Sequence, residues 1–252
     1  MKNKVIWIKK PKCAGTSIEN LLRDKGCIYY VDQYTTQADL NAPENQVICV
    51  RAGTTGRMCI HKTREGQYLE RPPSGGMEFF HKLLGHGFMP LHDMARRFPD
   101  FLQAHPKFSV IRNPYDKFVS SWRYLKKYRD LPAANVLDNL PGRGKDFHDW
   151  HHLTRTQQDC ISDASGRTWL DFAVYMELDI EQDFARILHY LDIPYTPIPH
   201  KNKSERQAVS ESLTLEEAQQ VARVYGVDFT GFGYSKDISQ LQPTSPLPQW
   251  NL

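Results

Sequence analysis

The chain predicts an α/β domain built on a parallel sheet with helices on both faces. Three observations carry this reading. A short apolar run, "VIWI" at 5–8, passes directly into "KKPKCAGTSIENLL", which reads as strand, tight loop and helix. The segment "KFSVIRNPYDKFVSSWRYLKKY" at 107–128 repeats the same strand–loop–helix grammar. Strand-like and helix-like stretches alternate along 252 residues without any internal repeat, the pattern expected of parallel strands joined by crossover helices.

Taken in order, Val5–Ile8 reads as a buried strand. Gly15, Thr16 and Ser17 open a helix whose apolar face is Ile18, Leu21 and Leu22, and Gly26 is placed to end it. "QVICVRAG" at 46–53 reads as a second strand. Residues 54–80, with "RPPSGG", read as an irregular surface excursion. In the second unit Phe108–Ile111 is the strand, Asn113 the N-cap and Pro114 the first helical residue. Phe118, Val119, Trp122 and Leu125 form its apolar face. Residues 130–150 are rich in Pro, Gly, Asn and Asp and read as loop or weak helix. A helix is expected over 180–191, and Thr214 with Glu217 makes a capping-box pattern before another. The tail 241–252 is Pro-rich and reads as extended. All of this fits one domain, 1–252.

Composition narrows function. A net charge of +3 gives no general polyanion character, so nucleic acid is not an expected partner and a basic site would be local. The five cysteines (Cys13, Cys27, Cys49, Cys59, Cys160) are odd in number and never form C-x-x-C, which argues against a disulfide framework or a Cys-rich zinc site. No apolar stretch is long enough to span a membrane, and Val5–Ile8 is too short for a signal peptide. A cytoplasmic location is the expectation.

Ligands of parallel α/β sheets gather at the carboxyl ends of strands. Both "KPKCAGTS" and "RNPYDKFVS" are predicted there. In the first, Gly15 would let backbone N–H groups close on an anion at a helix start, Lys12 adds a point charge, and Thr16 and Ser17 add hydroxyls. The loop is P-loop-like, yet its Lys precedes the Gly, and the G-K-[ST] order that sets a hydroxyl on Mg²⁺ is missing. No metal is expected. In the second, Arg112 at a strand end and Ser120 two turns along the helix suit a dianionic phosphate. Cys13 reads as a small space-filling residue rather than a nucleophile. "FHDWHH" offers His148, His151 and His152 near Asp149, which reads as a solvated or acceptor-facing cluster sooner than a metal site. Glu177 in "YMELD" reads as a carboxylate that orients local structure.

With both motifs in hand, the sequence resembles the nucleotide-activated sulfotransferases, whose donor is 3′-phosphoadenosine 5′-phosphosulfate and whose product is adenosine 3′,5′-bisphosphate. "PKCAGTS" is similar to their 5′-phosphosulfate loop and "VIRNPYDKFVSSW" to their 3′-phosphate motif. The carbohydrate (heparan-type) branch is the nearest in pattern, through "LLGHGF", "RTQQDCISDASG", "YMELDIEQDFARIL", "PHKNKSER" and "DFTGFGY". The resemblance implies the sulfotransferase fold. It assigns Lys12, Cys13, Ala14, Gly15, Thr16 and Ser17 to the phosphosulfate, with Lys12 also catalytic, and Arg112 and Ser120 to the 3′-phosphate. It places Asn202, Lys203 and Ser204 over the nucleotide. His86 becomes the base that takes the acceptor hydroxyl proton. Apart from the resemblance, Glu78, just before Phe79 and Phe80, is the runner-up base. The implied acceptor carries a hydroxyl on a saccharide, glycolipid or small metabolite. The rivals are a P-loop kinase-like phosphotransferase and a catalytically silent nucleotide-binding protein. Residues 54–80 and 130–150 match nothing in the family pattern.

Overall fold

The computed structural model describes residues 3–31, 35–51, 61–62, 68–69, 91–142, 149–162, 168–199 and 209–247. Five parallel strands form the central sheet: β1 (Val5–Lys9), β2 (Ile28–Tyr30), β3 (Val47–Arg51), β6 (Lys107–Ile111) and β7 (Phe172–Tyr175), in the order β2-β3-β1-β6-β7. A short antiparallel pair, β4 (His61–Lys62) and β5 (Tyr68–Leu69), stands apart. The helices, in chain order, are α1 (Gly15–Asp24), α2 (Gln37–Asn41), α3 (Leu91–Arg97), α4 (Pro99–Ala104), α5 (Pro114–Tyr124), α6 (Ala133–Asp138), α7 (Gln157–Ile161), α8 (Ile180–Tyr190), α9 (Val209–Ser212), α10 (Leu215–Val224) and α11 (Gly226–Gly231). One π-helical turn spans Trp150–Thr154.

The strands are apolar on both sides because helices cover both faces. Val5, Trp7, Val47, Cys49, Phe108, Val110, Phe172 and Val174 pack with the buried faces of α1 and α8. Ile6, Ile8, Ile48, Val50, Ile111, Ala173 and Tyr175 pack on the opposite side with α3, α4, α5 and α10. Trp7, Phe108 and Phe172 stack across three neighbouring strands, with centroids 6.3 and 5.5 Å apart.

Local signals shape the ends of these elements. Helix α1 closes in a Schellman motif: the Gly26 N–H donates to Arg23 O, the Cys27 N–H to Leu22 O, and Gly26 holds φ 65°. Asn113 caps α5 through Tyr115 N–H, with Pro114 at the first position. Thr214 and Glu217 form the expected capping box of α10.

Residues 130–150, read as loop or weak helix, hold the short helix α6, because Ala133, Val136 and Leu137 bury one face despite the surrounding turn residues. One expectation needs correction. The "DWHH" segment is not a solvated loop: its His151 is buried, with Nδ1 3.3 Å from the Arg155 guanidinium. Among the described residues no cluster of His, Cys, Asp and Glu has metal-ligand geometry.

The chain passes from β1 to the edge strand β2, returns to β3 beside β1, and then crosses to β6 and β7 on the other side. The sheet therefore reverses its winding between β1 and β6. The loops leaving those two strands flank that switch point, where parallel sheets bind ligands.

Candidate active site

The loop after β1 has an unusual backbone. Only three described non-glycine residues have positive φ, and two lie here: Lys12 at 61° and Ala14 at 50°. Left-handed residues alternating with residues of negative φ are the backbone pattern of anion-binding nests. Such conformations cost energy for residues with a Cβ and persist at functional sites. Ala14 also stands at the N-cap of α1 and gives it no side-chain cap. The first turn of this ten-residue helix carries no acidic residue. The other helices of ten or more residues are capped by Asn113, Asp179 and Thr214. The start of α1 thus has the uncapped, acid-free first turn that suits an anion.

Gly15, expected to let the backbone approach an anion, also has a packing role. Its φ is not left-handed, and a Cβ there would sit 3.2 Å from Lys9 Cε, on the side-chain stem of the preceding strand. Its smallness lets α1 pack close to Lys9, while the nest geometry belongs to Lys12 and Ala14. Thr16 is exposed and Ser17 half-buried, so both hydroxyls lie near solvent at the helix start. Cys13 is buried, with Sγ 3.4 Å from Gln157 Oε1. Burial raises its thiol pKa, which leaves it a filler whose backbone alone faces the nest.

Lys12 reaches out of the loop. Its ammonium lies 4.0 Å from the centroid of the Tyr124 ring, and Tyr124 stacks on His152 at 5.1 Å. Burial, aided by the neighbouring Arg112 guanidinium, brings the Lys12 pKa down to about 8. Around Glu19, one turn into α1, Lys9, Arg23 and Tyr30 gather. Burial works against the Glu19 charge, but these partners outweigh it and hold the carboxyl below its ordinary value. A negative charge close to the nest is thereby neutralised.

The second loop joins the first directly. Arg112 Nη1 donates to Lys12 O at 3.0 Å, and its Nη2 lies 3.8 Å from Asp116. The two motifs thus form one cationic floor. Ser120 is half-buried on α5, about two turns from the cap. Asn113 N–H donates to Glu177 at 2.8 Å, and Tyr234 donates its hydroxyl to the same carboxylate at 2.6 Å. Asn113 Nδ2 donates to Leu241 O, and the Tyr115 hydroxyl to Lys236 O. Glu177 therefore does orient local structure, as its sequence context implied.

Three contributors escaped the sequence reading. Gln157 is fully buried beneath both loops and bonds to each. Lys10 is buried beside it, and burial lowers its pKa. Asp228 anchors Gln157 from behind by accepting two backbone N–H bonds at 2.8 Å. No local signal marks these roles, since all act across large sequence separations. His86, Glu78, His148, Asn202, Lys203 and Ser204 lie outside the described residues.

A family profile described as the sulfotransferase family matches residues 1–235. No curated protein and no solved structure matches the chain.

Proposed function

The chain belongs to the sulfotransferase family, and from that premise we propose that it uses 3′-phosphoadenosine 5′-phosphosulfate to sulfate a hydroxyl on a saccharide, glycolipid or small metabolite. The observation that supports this most is the anion nest at Lys12–Ala14, joined to the Arg112 loop by one guanidinium–carbonyl bond of 3.0 Å. A donor with anionic groups at both ends suits two adjoining cationic loops at a switch point.

In this reading the bond from sulfur to the donor's phosphate oxygen breaks as a bond to the acceptor oxygen forms. Negative charge grows on the departing phosphate. Lys12 and the backbone N–H groups of Cys13, Ala14 and Gly15 meet that charge, with Thr16 and Ser17 adding hydroxyl donors. Arg112 and Ser120 hold the 3′-phosphate, and Asn202, Lys203 and Ser204 close over the nucleotide. His86 takes the acceptor's proton. The resemblance supports the assignments of His86 and of 202–204. The heparan-type branch and the cytoplasmic location belong to the same proposal. No described helix is long and apolar enough to cross a membrane.

The test is transfer itself. Incubating the protein with the donor and a panel of oligosaccharides, glycolipids and small hydroxyl metabolites, in excess chelator, should add one sulfuryl group to one acceptor class, read by mass spectrometry. Phosphoryl transfer from ATP that requires Mg²⁺ would replace this reading with the kinase-like one. Tight adenosine 3′,5′-bisphosphate binding without transfer to any acceptor would favour the silent nucleotide-binding reading.

A further inference from the structure

We infer that Gln157 is a positioning residue that sets the spacing between the two anion-binding loops, so that a ligand charged at both ends can engage them together. The inference rests on the donor proposed above. Its basis is the bonding of a single buried carboxamide. Gln157 Oε1 accepts from Arg112 N–H at 3.1 Å, from Lys10 Nζ at 3.2 Å and from Cys13 Sγ at 3.4 Å. Gln157 Nε2 donates to Arg112 O at 2.7 Å.

The side chain thus pairs with both the N–H and the C=O of Arg112, as a neighbouring strand would. Strand β6 ends at Ile111. The carboxamide supplies one more ladder step at the carboxyl edge of the sheet, under the residue whose guanidinium bonds Lys12 O. The same oxygen reaches back to Lys10 and Cys13, which bracket Lys12. Loops about a hundred residues apart in sequence therefore hang from one group.

That group has little freedom of its own. Thr156 caps α7 by accepting from Asp159 N–H. The Asp228 carboxylate accepts from the N–H groups of Gln157 and Gln158. The chain Asp228–α7–Gln157 is a rigid post under the two loops. Removing the carboxamide would leave the Arg112 backbone groups and the Lys10 ammonium without this partner, at the point where the loops meet. A plain filler would need none of these four bonds.

A two-ended ligand gains over a one-ended one only if both sites can be reached at once. The experiment compares adenosine 3′,5′-bisphosphate with adenosine 5′-monophosphate by calorimetry, in the parent and in Gln157→Met, which keeps the volume and drops both polar atoms. The parent should prefer the bisphosphate by about thirtyfold or more, and Gln157→Met should cut that preference to about fivefold, with the monophosphate affinity changed less than about threefold. A merely structural residue would lower stability and leave the ratio of the folded protein intact, so an unchanged ratio overturns the inference. Should Gln157→Met not fold, Gln157→Glu serves in the same comparison: it keeps an acceptor for Lys10 and the Arg112 N–H but cannot donate to the Arg112 carbonyl. Hydrogen exchange without ligand forms a second arm. Peptides covering 10–18 and 108–117 should lose protection together in the variant, and loss confined to one of them overturns the inference. A parent without any bisphosphate preference instead defeats the donor assignment, and the exchange arm still decides the role of Gln157.

Discussion

The loops after β1 and β6 occupy equivalent places at the carboxyl edge of one sheet, yet they are built in opposite ways. The first, at 10–14, has two left-handed non-glycine residues and opens a helix without a side-chain cap. The second, at 112–113, has its backbone and side-chain groups paired with Gln157, Glu177 and Leu241, and Asn113 caps the helix that follows. One loop leaves the helix it opens without a side-chain cap, as helix starts that receive an anion do. The other is finished before any ligand arrives. The difference teaches how a fold makes a site precise: a strained cradle is useful only when hung from a platform that does not move.

Breaking the cradle should have the largest effect. Lys12→Ala removes the point charge where the leaving group's charge develops, and kcat should fall about 10²–10³-fold in the sulfation assay. A near-parental rate would remove Lys12 from the chemistry. Breaking the platform comes next. Glu177→Ala strands the Asn113 N–H and the Tyr234 hydroxyl, and should cost about 2–3 kcal/mol in urea denaturation. A midpoint that does not move would show that this carboxylate is not a linchpin.

The third test sharpens the contrast by pH. Lys12 has a free-state pKa of about 8, and a bound polyanion must raise it. Binding therefore takes up a proton above that value. Affinity for adenosine 3′,5′-bisphosphate should be flat between about pH 7 and 8, above the phosphate pKa of about 6, and fall by up to about tenfold per unit above pH 8, until the liganded pKa is passed. Calorimetry across pH 7–9.5 reads this directly, and Lys12→Ala should flatten the curve. The smallest effect concerns strain. Ala14→Gly relieves a left-handed conformation at φ 50° and, after the greater chain entropy of glycine is allowed for, should stabilise the fold by about 0.5–1 kcal/mol. A destabilised variant would mean that the neighbours of Ala14 impose no strain.

Much of this contrast was legible in the sequence where its cause is local. The apolar runs marked β1 and β6, Asn113-Pro114 marked the start of α5, and Thr214 with Glu217 marked α10, because caps and strand patterns act over a few residues. The left-handed pair Lys12 and Ala14 was not legible. A glycine is the ordinary sign of such a backbone, and only tertiary context can force residues with a Cβ into it. Helix α6 was understated because its Ala-Ala-Asn-Val-Leu-Asp run is bounded by turn residues, while its stability comes from packing beside α10, whose Glu217 also accepts from Ala134 N–H. Gln157 left no trace of its role, since Lys10, Cys13, Arg112 and Asp228, which it bonds, all lie far along the chain.

The segment that follows α11 bears on how the protein is made. Gly233 holds φ 68°, and a Cβ on it would fall 1.7 Å from Ser245 O, so residues 233 and 245 meet backbone to backbone. The same stretch supplies Tyr234 to Glu177, Lys236 O to Tyr115, Leu241 O to Asn113 and Leu247 N–H to Tyr175. A ribosome releases residues in order, at about 5–20 per second. The β6 loop leaves the exit tunnel well before its partners at 234–247 have been translated. Until those late residues arrive, the Asn113 platform is incomplete and the cradle hung from it has no fixed floor. On the donor proposed above, the nascent chain would be a poor trap for nucleotide until residues 234–247 have emerged and packed.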